Sequence, residues 1–271
     1  MKKVIVISTS LRAGSNSDML ADKFIEGALA VGNEVEKITL SGKSIGFCKG
    51  CLACQKLGNF VQNVLGERYP YYAYARIAKW RAKAKAALGG CWPHSSSLIS
   101  LNEARMLFRI TNFFNPSQLL VVGARSGVSA ASVKAVSSQS VLHLYSPHYA
   151  QSKVQQQSLQ PFGNQVRHYT DISECVQAYF SQISGDADPF VLVNEIGDEM
   201  ELDALKSAIL PIVRKQGVIV MRNLHKHELV ARLWAECKHH AQYGQTYTNG
   251  KTGILIANPK LQLEHFSLWL K

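Results

Sequence analysis

No run of about 18 apolar residues occurs anywhere in the chain, so nothing in it reads as a membrane-spanning helix. The opening "MKKVIVIS" enters a strand pattern and lacks the apolar stretch and small-residue cleavage site of a secretion signal, so a cytoplasmic protein is expected. Without such a signal, six cysteines argue against a disulfide framework. Three of them cluster at Cys48, Cys51 and Cys54, but no fourth lies between Gln55 and Gly90, and iron-sulfur and zinc sites want four ligands. Structural thiols, or a dithiol pair, are therefore expected ahead of a metal centre. Cys91, Cys175 and Cys237 are scattered and read as core residues. His225, His227 and the His239-His240 pair lack the spacing of two metal ligands on one helix face, and solvated positions are expected for them.

What is present is a globular composition: 271 residues, 46% of them hydrophobic, enough for one large or two small domains. The formal charge of +11 is uneven. Residues 59–110 hold eight Lys/Arg against two Asp/Glu, and the excess sits on "RYPYYAYARIAKWRAKAKAALGG", a basic helix expected over residues 71–88. Its cations alternate with Tyr71, Tyr72, Tyr74 and Trp80, a pattern that suits an acidic partner. A solvated cationic face with a packed aromatic face is the preferred reading over nucleic-acid binding, because no nucleic-acid module accompanies the helix.

Along the chain, "KVIVIS", a helix from about Ser17 and "EVEKITL" make one βαβ unit. "SLNEARMLFRITNFF" reads as an amphipathic helix with Ser100 as N-cap and Glu103 completing a capping box. From Gln118 strands and helices alternate, which builds a mostly parallel sheet covered on both faces. Asn249-Gly250 between two strand-like runs marks an antiparallel hairpin at the end. "SLQPFGNQ" reads as a turn. The expected fold class is α/β: a Rossmann-like sheet closed by an antiparallel hairpin, preceded by a partial βαβ unit.

The loop "STSLRAGSNS" follows the first strand, where backbone N–H groups and a helix N-terminus favour an anion. Ser8, Ser10, Ser15 and Ser17, the Asn16 amide and the Arg12 guanidinium are donors suited to a phosphate monoester. The loop has neither the Gly-Lys-Ser/Thr of a triphosphate loop nor G-x-G-x-x-G. With "GFCKGCLAC", it resembles the start of the flavodoxin-like NAD(P)H-dependent FMN reductases and their iron-sulfur flavoprotein branch. That resemblance implies that Ser10, Arg12, Asn16 and Ser17 wrap the FMN phosphate, with NAD(P)H as reductant. It covers residues 1–58 only, and the later tyrosine-bearing loop that packs on the flavin ring has no counterpart.

"LLVVGARSGVSAAS" is a strand, a turn held by Gly123 and Gly127, and a helix start. In its element order it resembles the class I S-adenosylmethionine-dependent methyltransferases, from about residue 60 to Lys271. The resemblance implies S-adenosylmethionine at the Gly123–Gly127 turn, held by acids at set places. Here those places read Val121, Tyr145 or Ser146, and Asn194 with Glu195 beside it.

The expected organisation is a partial flavodoxin-like segment at 1–58, a basic helical leader and linker at 59–117, and a methyltransferase-like domain at 118–271. Three functions follow. One is an FMN-dependent oxidoreductase with an incomplete site. The alternative is an S-adenosylmethionine-dependent methyltransferase or a catalytically silent relative. The third is a non-enzymatic fusion of two remnants.

Overall fold

The computed structural model describes residues 2–8, 16–39, 60–67, 69–88, 98–183 and 188–268. The chain divides into two compact units, Met1–Cys51 and Leu52–Lys271.

The first unit is a βαβ: strand β1 (Lys3–Ser8), helix α1 (Asn16–Ala30) and strand β2 (Glu34–Thr39), with the strands parallel and Lys3 opposite Glu34. Ser8 donates its hydroxyl to Asp18 Oδ1 (2.9 Å), and Lys37 pairs with the same carboxylate at 3.1 Å, so the first turn of α1 is tied to both strands. Two strands and one helix cannot cover both strand faces. Ile5 and Ile7 are more than half exposed, as are Met19, Leu20 and Phe24 of α1.

The second unit begins with a π-helical turn (Val61–Leu65) and helices α2 (Tyr72–Ala87) and α3 (Leu101–Phe114). Alternation then starts: β3 (Gln118–Val122), α4 (Val128–Lys134), β4 (Val141–Tyr145), α5 (Lys153–Leu159), β5 (Val166–Tyr169), α6 (Ile172–Phe180), β6 (Phe190–Val193), α7 (Glu199–Arg214), β7 (Gly217–Met221) and α8 (Glu228–His240). Strands β8 (Gln245–Thr248), β9 (Gly253–Ala257) and β10 (Glu264–Ser267) finish it. The eight strands lie in the order β10-β8-β9-β7-β6-β3-β4-β5. β9 runs antiparallel to β7 and β8, and the hairpin turn falls at Asn249-Gly250 as the sequence predicts. β10, which the sequence pattern does not announce, adds in parallel to β8.

The period of two decides where each strand residue goes. Leu119 and Val121 join one core with α2, α3 and α4, while Leu120 and Val122 join the other with α6, α7 and α8. Strands buried on both faces must be continuously apolar, as "QLLVV" and "FVLV" are. Each buried Val or Leu contributes about 1.5–3 kcal/mol.

Helix α2 packs through Ala73, Ile77, Trp80 and Ala84, one face at helical spacing, and exposes Arg76, Lys79, Lys83 and Lys85. The aromatic face is only partly packed: Tyr71 and Tyr74 lie against Phe108, but Tyr72 is exposed. Arg109 of α3 is buried and donates to the carbonyls of Val64 and Leu65, fastening the π-helical turn to the core. "SLQPFGNQ" is not a simple turn: α5 ends in it and a 3-10 segment, Gln160–Gln165, continues with Pro161 at its start, where a missing N–H costs nothing.

Candidate functional site

At the carboxyl edge of the parallel strands, β3 leads through Gly123 and Gly127 into α4. Both glycines have positive φ, 69° and 72°, which other residues adopt only with strain. The space beside each is taken by the chain itself. A Cβ on Gly123 would collide with Glu195 Cγ and come within 3.2 Å of the Glu195 carbonyl oxygen. One on Gly127 would stand 2.9 Å from Gln155 O and from Ser158 Cβ. We therefore expect Gly127→Ala to lower stability by about 2 kcal/mol or more, from combined backbone strain and overlap with a fixed carbonyl, read as a shift in the denaturant midpoint at unchanged slope. A change below about 0.5 kcal/mol would contradict that packing.

Glu195 follows β6 and points over the turn, where Arg125 Nε meets its Oε2 at 2.5 Å. Asn194 at the end of β6 donates its amide to Gly123 O and accepts from Arg222 Nη1 at 2.7 Å. At the end of β4 the Tyr145 hydroxyl donates to Glu201 Oε1, and Gly197 N donates to Glu201 Oε2 at 2.7 Å. Burial, first, and the Glu201 carboxylate beside it push the Tyr145 phenol well above its ordinary pKa. Ser146 donates to Gln155 Oε1 at 3.1 Å. Val121 is fully buried.

A buried ionic network lies next to this turn. Arg222, at the end of β7, donates from Nε and Nη2 to the two carboxylate oxygens of Glu103 at 2.8 and 3.1 Å. Thr252 Oγ1 donates to Glu103 Oε1 at 2.9 Å, and Asn223 Nδ2 to Asn194 O at 3.0 Å. Burial alone would raise the Glu103 pKa, but the Arg222 charge and the hydrogen bonds from Arg222 and Thr252 outweigh it and hold the carboxyl below its usual range. The expected capping box is thus half made. Ser100 accepts from Glu103 N at 3.1 Å, while the Glu103 side chain turns to Arg222 instead of back to the helix start.

Two hollows flank these residues. The one over the turn holds about 100 Å³, between Ala124, Arg125, Ser129, Asn194, Glu195 and His227. The other is a cleft of about 810 Å³ walled by Leu98, Met106 and Leu268, with Arg222, His225, Lys226 and Lys251 among its polar lining.

Of the residues expected to hold a flavin phosphate, Ser10, Arg12 and Ser15 lie outside the described residues, as do Cys48, Cys51 and Cys54. Asn16 and Ser17 begin α1, and their side chains also lie outside the description. Ser8 is buried and its hydroxyl is engaged by Asp18. Cys175 and Cys237 are buried free thiols, each pushed up to about 12 by that burial, as the core reading of the scattered cysteines expects. The sequence reading missed Glu201 and the Arg222–Glu103 pair. Their partners stand 56 and 119 residues away, and no local pattern links them.

No family model matches the chain, and no curated protein matches it in sequence. Solved structures do match its fold. A Staphylococcus aureus protein assigned as a caffeoyl-CoA O-methyltransferase superposes with a TM-score of 0.51 at 13% identity, covering 76% of this chain and 100% of its own. A Bacillus cereus O-methyltransferase in complex with SAH gives 0.49 at 12% identity over 75% and 97%. The SAH-bound Podospora anserina methyltransferase PaMTH1 gives 0.49 at 11% over 80% and 99%. Nothing in these comparisons supports the flavin-reductase reading, and among the described residues the N-terminal unit has two strands, so the expected FMN and NAD(P)H find no support. Strand order, the antiparallel end of the sheet and the superposition agree: the chain carries the α/β fold of the class I S-adenosylmethionine-dependent methyltransferases.

Proposed function

We propose that residues 52–271 are a catalytically silent methyltransferase-fold domain that binds a small organic anion in the 810 Å³ cleft and does not transfer methyl groups. Glu195 carries this reading. Its side chain lies on Gly123 where an adenosyl donor would have to lie, its carboxylate is neutralised by Arg125, and the hollow left is about 100 Å³. Ligand pockets are usually about 300–1,000 Å³. The two remaining acid positions hold Val121 and a tyrosine already bound to Glu201, so the donor's ammonium and ribose find no available carboxylate there. The residues present do not fit S-adenosylmethionine. The neighbouring cleft combines an apolar wall with Lys226 and Lys251, while its one acid, Glu103, is neutralised by Arg222. That balance suits an anion with an apolar body.

A second reading rests on Arg125, whose side chain is 64% exposed. Under it, Glu195 would be left to hold the ammonium of S-adenosylmethionine and methyl transfer would survive. Calorimetry with S-adenosylhomocysteine separates the two. We expect no saturable heat up to 1 mM for the full chain or for Arg125→Ala, on the order of the weakest affinities such a titration resolves. Binding that appears or tightens in Arg125→Ala would favour the second reading. No cofactor is proposed for residues 1–51.

A further inference from the structure

Away from the carboxyl edge, α2 faces the loop that leaves α4 and the 3-10 segment before β5, and the three line an open cavity of about 550 Å³. It sits at the amino ends of β4 and β5, the opposite edge of the sheet from Gly123. Arg76, Lys79 and Lys83 of α2 line one side, at positions one helix face presents together. Lys134 lines the other side. No carboxylate lines it, although all but one of the 19 acidic residues are described. Among the described residues, no ion pair includes any of these four cations.

Lys134 makes the arrangement unusual. It is 1% exposed, and its ammonium has a carbonyl for company, Ser137 O at 2.6 Å, with the Phe162 ring centroid 5.7 Å away. A buried charge without a counter-charge is costly, and proteins normally pair it. Burial accordingly lowers the Lys134 pKa. Trp80 and Phe162, with ring centroids 5.4 Å apart and planes inclined at 59°, add an apolar wall, and Gln165 donates to Ser138 O to join the two loops. Four cations, one of them buried, with an aromatic wall and ligand-sized volume, describe a receptor for a multiply charged anion that bears a ring.

We infer that this cavity is a binding site for an organic phosphate of nucleotide size, its phosphates on Arg76, Lys79 and Lys83, its ring against Trp80 and Phe162, and the buried Lys134 ammonium adding its charge from within. The site is independent of the donor cleft and of the function proposed above. A single-stranded nucleic acid would offer the same groups, but one pair of rings and a volume of about 550 Å³ suit one nucleotide and not a strand of successive stacked bases.

The test is calorimetry of the full chain with ATP, inorganic pyrophosphate and a uridine decanucleotide as probes, each repeated with excess S-adenosylhomocysteine. The expected result is saturable binding of ATP and weaker binding of pyrophosphate, both unaffected by S-adenosylhomocysteine. Lys134→Met, which removes a buried unpaired charge and so should fold at least as well, is expected to weaken ATP binding at least tenfold. The exposed pair Lys79→Gln/Lys83→Gln should do the same without touching the core, and raising the salt should weaken what remains. No heat with ATP or pyrophosphate at millimolar concentration would overturn the inference. So would ATP binding that both variants leave unchanged, ATP binding displaced by S-adenosylhomocysteine, or binding of the oligonucleotide alone.

Discussion

Replacing Arg222 by Met is expected to destabilise the second unit by about 3–5 kcal/mol, the cost of leaving one partner of a buried ion pair behind. Arg222 is 5% exposed and donates to Glu103 twice and to Asn194 once, so its loss orphans a carboxylate and an amide oxygen together. Glu103 belongs to α3, Arg222 directly follows β7 and Thr252 directly precedes β9, so three elements lose their common anchor. For a unit of this size the melting temperature should fall by roughly 6–20 °C. The pH dependence supplies a second signature. Because the folded Glu103 pKa lies below its unfolded value, its contribution is complete above about pH 4.5 and is lost as pH falls through the lower folded value. Arg222→Met should erase that acid limb, and Arg222→Met/Glu103→Leu should regain most of the stability. A loss under about 1 kcal/mol in the single variant would show that the network contributes little.

The second large effect concerns His143, which is fully buried in β4. Burial, helped by the charge of Arg167, pushes its pKa down to about 4. The neutral ring uses both nitrogens: Nε2–H donates to Gln118 Oε1 at 3.1 Å, and Nδ1 accepts from the Tyr169 hydroxyl at 3.3 Å. Tyr169 also stacks on the ring and Tyr179 meets it edge-on. A proton on Nδ1 would turn the Tyr169 hydroxyl from donor to acceptor and bury a charge. Since the unfolded histidine titrates near 6.5 and the folded one near 4, this contribution is whole above pH 6.5 and disappears between those values. We expect about 3 kcal/mol of stability to be lost from pH 7 to pH 4 through this residue. His143→Leu should flatten that part of the profile by a comparable amount, since His168, His225 and His227 are unchanged in it. Parallel profiles for the two proteins would contradict the assignment.

Much of this fold is legible in the sequence, and the reason is burial. Strands covered on both faces must be apolar throughout, so "QLLVV", "FVLV" and "GVIVM" declare themselves, and Asn249-Gly250 declares the hairpin, although only Gly250 takes positive φ there, in a four-residue connection between β8 and β9. β10 is an edge strand with exposed Glu264, His265 and Ser267, and a strand that buries little shows no period. The site was legible only as an absence. Val121, Tyr145 or Ser146, and Asn194 stand where the methyltransferase resemblance implies carboxylates, but what fills the space is a matter of contacts between distant residues: Glu195 on Gly123, Glu201 on Tyr145, Glu103 on Arg222. Lys134 is the converse case. In "VSAASVKAV" it reads as an ordinary polar helix position, and only the packing of α4 against α2 and α5 encloses it.

The central claim is that the chain's own side chains occupy the place of the methyl donor. A crystal of the full protein soaked in S-adenosylhomocysteine tests it most directly. The account predicts Glu195 lying on Gly123 and paired with Arg125, with no nucleoside over the turn. Ordered density for the nucleoside between Gly123 and Tyr145, with Glu195 turned away from the glycine, would contradict it.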